Sequence, residues 1–254
     1  MEKMSIDLEQ AMATEAHQLE FYLDSLAFQM LRIPAGQFKM GSLVNEEGHQ
    51  PNEEPIRLIE ISKPFYMGQY EVTQAQFKIV MGNNPSKLKG DLLPVDQVTY
   101  AQALEFCKKL SQLIDVTVTL PTEAQWEYAC RAGTSTRFYS GNTIESLNKV
   151  AWFNQNAQGK VHPVGQKEPN AWGLYDMHGN VWEFCLDYIP TYEQLIAKDP
   201  VGGKSLERGA MRGGGWMHGP EYQRAATRLI SDNMFGGTGI RIVINPDVQA
   251  ALSR

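Results

Sequence analysis

The stretch Asn170-Ala171-Trp172-Gly173-Leu174-Tyr175-Asp176-Met177-His178-Gly179-Asn180-Val181-Trp182-Glu183 decides the reading of this chain. Two carboxylates, Asp176 and Glu183, flank Gly179-Asn180-Val181, where glycine permits a tight backbone turn. Side-chain carboxylates together with main-chain carbonyls are the oxygen donors that a hard cation such as calcium takes. The same loop can be closed by hydrogen bonds alone, with Glu183 capping backbone amides.

Upstream of this loop, three helix starts share one signature. Thr73…Gln76, Thr99…Gln102 and Thr122…Gln125 each match a Thr-x-x-Gln capping box, in which the hydroxyl accepts an orphan N–H and the amide reaches back to the cap. They predict helices over about 74–81, 100–113 and 123–131, the last between Pro121 and Gly133. Nearer the start, Gln29–Ile33 and Gln37–Met40 flank Pro34-Ala35-Gly36 as a hairpin, Leu43–Pro55 reads as a polar loop, and Arg57–Ser62 and Phe65–Val72 read as strands. Leu8, Met12, Leu19, Tyr22, Leu23 and Leu26 recur at three- and four-residue steps, which predicts an N-terminal helix over 1–27. After residue 132, Gly, Asn and aromatic residues dominate and no long helical period survives, so short strands among structured loops are expected.

Composition narrows the function. The chain of 254 residues is 43% hydrophobic with 22 Gly and 13 Pro, which describes a globular, loop-rich protein. Its net charge of −6 carries no dense Lys/Arg stripe, which argues against nucleic acid or an anionic membrane as the main partner. No window approaches a membrane span. The start MEKMSIDLEQ lacks the basic region and apolar run of a signal peptide, so a cytoplasmic compartment is expected; removal of a leader ahead of it would instead make the protein surface-exposed. Cys107, Cys130 and Cys185 are odd in number and without metal-type spacing, which suits a reducing compartment. His17, His49, His162, His178 and His218 form no zinc-binding arrangement. Gly213-Gly214-Gly215 lacks the Lys-Ser/Thr and the helix of a phosphate loop, and reads as backbone packed against aromatic side chains.

Four stretches, in order, carry a family resemblance: Ile33-Pro34-Ala35-Gly36 with Met40-Gly41-Ser42, Leu120–Ala129 (LPTEAQWEYA), Asn170–Glu183, and Arg212-Gly213-Gly214-Gly215-Trp216. Together they resemble the formylglycine-generating-enzyme (sulfatase-modifying-factor) family, over about residues 28 to 246. The resemblance implies an α+β, C-type-lectin-like fold: one loop-rich domain over 28–254, with small antiparallel sheets and a few helices, behind the N-terminal helix. It also implies a structural calcium, with Asp176 and Glu183 supplying side chains and Gly179 and Val181 supplying carbonyls.

The family's oxidase chemistry rests on a cysteine pair that follows the Arg-Gly-Gly motif and binds copper, a soft ion suited to thiolates. Those two positions are His218 and Gln223 here, so no copper is expected. Cys107 and Cys130 match cysteines that some secreted relatives hold in disulfides, but the matching partners here are Ile242 and Ala225. The layout also resembles the variable proteins of diversity-generating retroelements, which present a diversified binding surface just before a Gly-Phe-Arg-like end; Gly239-Ile240-Arg241 stands in that place.

The reading this favours is a non-catalytic protein whose frame presents a ligand-binding face for a protein or other macromolecule. The candidate contacts are Trp216, Met217, His218, Tyr222, Leu229, Ile230, Asp232, Met234, Phe235 and Thr238. Apolar and aromatic side chains on an ordered loop are a common contact surface. Arg224 and Arg228 read as frame residues that tie loops together. The alternative is a metal-dependent oxidoreductase of the same superfamily, acting on a protein or small-molecule substrate; an inert regulatory subunit is the third possibility.

Overall fold

A computed structural model of the chain describes residues 16–193, 195–203, 209–231 and 237–245. All three predicted capping boxes are present with both reciprocal hydrogen bonds. They open α1 (Gln74–Met81), α2 (Tyr100–Ile114) and α3 (Glu123–Arg131). A cap of this kind stabilises its helix by about 1 kcal/mol. A fourth helix, α4 (Ile144–Val150), was not read from the sequence. Its cap is Thr143, whose hydroxyl accepts from Ser146 N, so the third residue is Ser and the Thr-x-x-Gln pattern is missing.

The strands are short. β1 (Gln18–Leu23), β2 (Leu26–Ile33), β5 (Phe65–Gly68), β13 (Val243–Ile244) and β6 (Val118–Thr119) form an antiparallel sheet in the order β1-β2-β5-β13-β6. β13, near the end of the chain, therefore sits between two strands from its first half. A second sheet has the order β11-β10-β9-β12, from β11 (Leu229–Ser231), β10 (Gly209–Arg212), β9 (Trp182–Phe184) and β12 (Thr238–Gly239). Its β12–β9 pair is parallel, as is the small pair of β7 (Ala151–Trp152) with β8 (His178–Gly179). β3 (Gly36–Met40) pairs with β4 (Arg57–Ile61) in a two-stranded sheet. The α+β class with small, mostly antiparallel sheets is as expected.

Two expectations fail at the N-terminal end. Residues 18–27 are not helical: β1 and β2 form a hairpin in which Leu23 faces Leu26 across Asp24 and Ser25, both left-handed at φ 42° and 71°. The proposed boundary between 27 and 28 falls inside this hairpin, and residues 1–15 of the expected helix lie outside the described residues. Leu19, Phe21 and Leu23 satisfy a period of two as well as the helical spacing, and burial selects the former. Phe21 is fully buried and stacks on Phe28 with centroids 4.8 Å apart, while Glu20 accepts from Tyr22 and Gln29 on the outer face. The hairpin expected around Pro34-Ala35-Gly36 is also absent, because β2 spends its two edges on β1 and β5 and leaves β3 to pair with β4.

The largest core lies between the five-stranded sheet and α1 and α2, where Phe77 and Phe106 stack at 5.3 Å. A second core packs α3 against β3, β4 and the loops after residue 170. Trp126 and Trp182 are both fully buried. Cys107, Cys130 and Cys185 are buried free thiols. Cys107 shares the first core with Ile242, and Cys130 shares the second with Ala225, so apolar packing fills the places where the resemblance would put a disulfide partner. Among the described residues, no helix is long and apolar enough to cross a membrane.

Candidate ligand-binding face

The face is built on buried guanidinium groups. β10 ends at Arg212, which is fully buried beneath α3. Glu123 and Glu127, one turn apart on α3, accept from Arg212 Nη2 and Nη1 at 3.0 Å each, and Tyr192 Oη lies 3.0 Å from Nη2. Arg228 Nε donates at 2.8 Å to the Glu123 oxygen that also accepts from Arg212, its Nη2 donates to the other Glu123 oxygen at 2.6 Å, and its Nη1 donates to Asn52 O at 3.1 Å. Arg224 grips Glu53 with two nitrogens, Glu46 at 2.8 Å and Glu221 O at 3.0 Å. Charge-assisted, forked contacts of this kind fix geometry as well as add energy. Arg224 and Arg228 are frame residues, as read from the sequence.

After Arg212 the chain turns through Gly213 and Gly214, both left-handed at φ 93° and 77°. A Cβ on Gly214 would stand 2.3 Å from Gln223 Oε1, so only glycine fits against that side chain. Gln223 is fully buried, and its Nε2 donates to the carbonyls of Gly215, His218 and Gly219 at 3.2, 3.3 and 3.3 Å. It thereby closes the turn that carries Trp216, Met217 and His218. Trp182 Nε1 donates to His218 Nδ1 at 3.2 Å, which leaves the proton of a neutral ring on Nε2. Burial also holds the His218 pKa below the usual imidazole value.

The ten residues read as contacts divide sharply. Met217, Tyr222 and Ile230 are 41%, 37% and 40% exposed, and Trp216 and His218 are half-buried beside them. The rings of His218 and Tyr222 lie 5.3 Å apart. Leu229 is half-buried and packs on the largest core. Thr238 contradicts the expectation: it is fully buried, in β12 beside Trp182, with its hydroxyl toward Met211 Sδ at 3.7 Å. Strand pairing, which the short Thr-Gly stretch does not advertise, draws it inside. Asp232, Met234 and Phe235 lie outside the described residues.

The sequence reading missed the opposite wall. The loop before β4 folds toward residues 221–229, and between them lies a cleft of about 410 Å³ lined by Gln50, Pro51 and Asn52 on one side and Tyr222, Thr227 and Leu229 on the other. Its positioning comes from Arg224 and Arg228, which reach across to Glu46, Glu53 and Asn52 O. The partners of those arginines are scattered acids in a polar loop, so no local motif marks them.

The Asp176–Glu183 loop has its own buried charge cluster. Glu71 accepts from Val181 N at 3.1 Å and Asn180 Nδ2 at 2.7 Å. Asp176 Oδ2 accepts from Gly165 N at 2.7 Å, while its buried Oδ1 has no hydrogen-bond partner. Glu183 accepts Arg241 Nε on both oxygens at 3.0 Å, Arg241 Nη2 at 2.7 Å and Trp126 Nε1 at 2.6 Å. These donors fill the roughly four acceptor sites of a carboxylate. Burial pushes the Asp176 carboxyl up to about 6 and raises Glu71 as well, with the neighbouring carboxylates adding to the Glu71 shift. The arrangement fits a hard cation at Asp176, through its unpartnered oxygen, and does not fit one at Glu183. Among the described residues no three His, Cys, Asp or Glu side chains converge as a metal set.

His178 belongs to the frame. Tyr139 N donates to its Nε2 at 3.0 Å, and burial pushes its pKa down to about 3, so the ring is neutral.

A family model described as "Sulfatase-modifying factor enzyme 1-like domain" matches residues 24–246. Chaperone protein LppX of Paenibacillus barcinonensis is 33% identical over an alignment covering 49% of this chain and 62% of its own length. The formylglycine-generating enzyme of Streptomyces coelicolor is 24% identical, with 86% of this chain and 90% of that one covered. Among solved structures, Treponema denticola variable protein 1 superposes with a TM-score of 0.82 at 26% identity, covering 90% of this chain and 99% of that chain. PvdO from Pseudomonas aeruginosa superposes with a TM-score of 0.79 at 26% identity, covering 89% and 98%.

Proposed function

From the premise that the chain belongs to the sulfatase-modifying factor enzyme 1-like family, we propose that it is a non-catalytic binding protein which presents Trp216, Met217, His218, Tyr222 and Ile230 to a macromolecular ligand. One observation carries the reading. The buried amide of Gln223, which the motif resemblance sets at the second position of the family's cysteine pair, is committed to three carbonyls of the 215–219 turn. The position that the resemblance assigns to a thiolate in the enzyme here carries an amide that braces the turn. His218, at the first position, is held by Trp182. What remains outward is apolar and aromatic surface on a rigid frame, the composition of a contact patch. The likeness to a variable protein supports the same reading. Diversification of the segment would appear in the neighbouring DNA as a reverse transcriptase and a near-copy of these codons, differing at adenines.

The proposal includes a structural calcium at the 176–183 loop. Asp176 would hold it with the carbonyls of Gly179 and Val181, while Glu183 stays with Arg241. The ion would supply charge balance and no reaction step.

Denaturant melts of single variants test display against packing. Met217→Ser, Tyr222→Ser and Ile230→Ser should each change stability by about 0.5 kcal/mol, the surface range. Trp182→Ala should cost about 3–5 kcal/mol. Equal losses in both sets would make the face part of the core and remove the proposal's basis.

A further inference from the structure

A cavity of about 370 Å³ lies between α2, β6 and the segment after β9, and it shares no lining residue with the display face. Small-molecule sites have this order of size. Its walls are pinned. Ser111 Oγ, on α2, accepts from Val118 N at 2.9 Å and donates to Cys107 O at 2.7 Å. The hydroxyl thereby occupies the outer edge of β6, the last strand of the five-stranded sheet, at Val118. Leu186 N donates to Pro121 O at 2.8 Å, and Leu186 O accepts from Tyr100 Oη at 2.7 Å. An added peptide strand would find no free N–H at Val118, so the cavity suits a small molecule better than an extended chain.

The lining is amphipathic. Leu104, Leu120 and Leu186 supply apolar surface continuous with the largest core. Two polar groups beside them have no use in the fold. Thr119 is 6% exposed, yet its Oγ1 has no hydrogen-bond partner among the described residues. A buried hydroxyl left unpaired is costly, and native structures seldom tolerate one without a reason. Lys108 is exposed, is the one charged residue in the lining, and forms no ion pair among the described residues. Its neighbour Glu105 pairs with Lys109 instead, at 3.9 Å. A hydroxyl in want of an acceptor, an unpaired ammonium and a leucine wall match an occupant with an anionic oxygen pair at one end and a hydrocarbon body at the other.

We propose that this cavity binds a medium-chain aliphatic carboxylate, whose oxygens accept from the Thr119 hydroxyl and the Lys108 ammonium while its chain lies against Leu104, Leu120 and Leu186. The site is separate from the display face, and neither depends on the other.

The test titrates the full chain with decanoate, decanol and decyltrimethylammonium, each below its micelle-forming concentration, by isothermal calorimetry. Decanoate should bind one to one, about tenfold or more tighter than decanol, and decyltrimethylammonium more weakly still. Lys108→Gln should bring decanoate down to the level of decanol. Thr119→Val should weaken decanoate about tenfold without lowering the melting temperature, because the hydroxyl it removes holds nothing in the fold. Leu104→Trp, which fills the cavity, should abolish binding. Lys149→Gln, which removes an exposed lysine on α4, should leave it within about twofold. Equal loss from Lys108→Gln and Lys149→Gln overturns the site and makes the preference one of overall charge. Decanol binding as tightly as decanoate overturns the carboxylate assignment. Val248→Asp combined with Leu252→Asp, in the segment that follows β13, should also leave binding within about twofold. A tenfold gain there would make that segment the occupant and overturn the ligand assignment. One-to-one binding of none of the three probes overturns the proposal outright and leaves the display face to its own test.

Discussion

Replacing Asp176 by Asn should stabilise the calcium-free protein at neutral pH, against the usual expectation for losing a buried residue. The carboxyl is 1% exposed, one oxygen has a single N–H donor and the other has none. Asn can keep its carbonyl toward Gly165 N and put its amide where no donor stands. Burial raises the Asp176 pKa from 3.8 to about 6. A raised carboxylate pKa means that the folded state holds its proton more tightly than the unfolded chain. Stability from this group is therefore fully present below the unfolded value near 4 and is lost as pH rises toward 6. Two pKa units correspond to about 3 kcal/mol. The Asn variant should thus gain up to about 3 kcal/mol over the parent at pH 7 and nothing at pH 4. The assay is urea unfolding followed by tryptophan fluorescence, at half-unit steps from pH 4 to 7.5 in chelator. The difference between the two proteins isolates this group from Asp187, which burial also pushes to about 6. Adding calcium at pH 7 should raise the parent's stability by mass action and leave the variant nearly unchanged. Parallel curves for the two proteins across the whole range would refute the argument that burial of the Asp176 carboxylate costs stability at neutral pH.

Other outcomes follow from the same buried network. Arg241→Met leaves Glu183 without its guanidinium and should cost about 3–5 kcal/mol by denaturant melt, the range for breaking a buried pair. The free thiols should be silent to a disulfide reagent in the native state and all react in denaturant, because each is buried and burial pushes Cys107 up to about 12 and Cys130 and Cys185 upward too.

Much of the fold was legible because local chemistry and tertiary structure agree. Thr73, Thr99 and Thr122 announce helices that packing then preserves. The family stretches around Asn170–Glu183 and Arg212–Trp216 located the loop and the turn. Where the reading failed, the deciding force was not local. Leu19 and Leu23 suit a helix and a strand equally, and it is Phe21 stacking on Phe28 that settles the matter. Thr238 looks like loop and is drawn inside by pairing with Trp182. The second wall of the cleft depends on Arg224 and Arg228 reaching partners about 170 residues away, at Glu53 and Asn52, a relation that no window of sequence contains.

The central claim is that a family frame has become a binding surface by giving up its thiol pair. Mass spectrometry tests it directly: the purified protein is incubated with a sulfatase-type cysteine peptide, copper and oxygen, and the peptide is weighed over time. With Gln223 and His218 in place of the cysteines, the account predicts a peptide of unchanged mass. Catalytic conversion of its cysteine to formylglycine, with more than one turnover per protein, would contradict it.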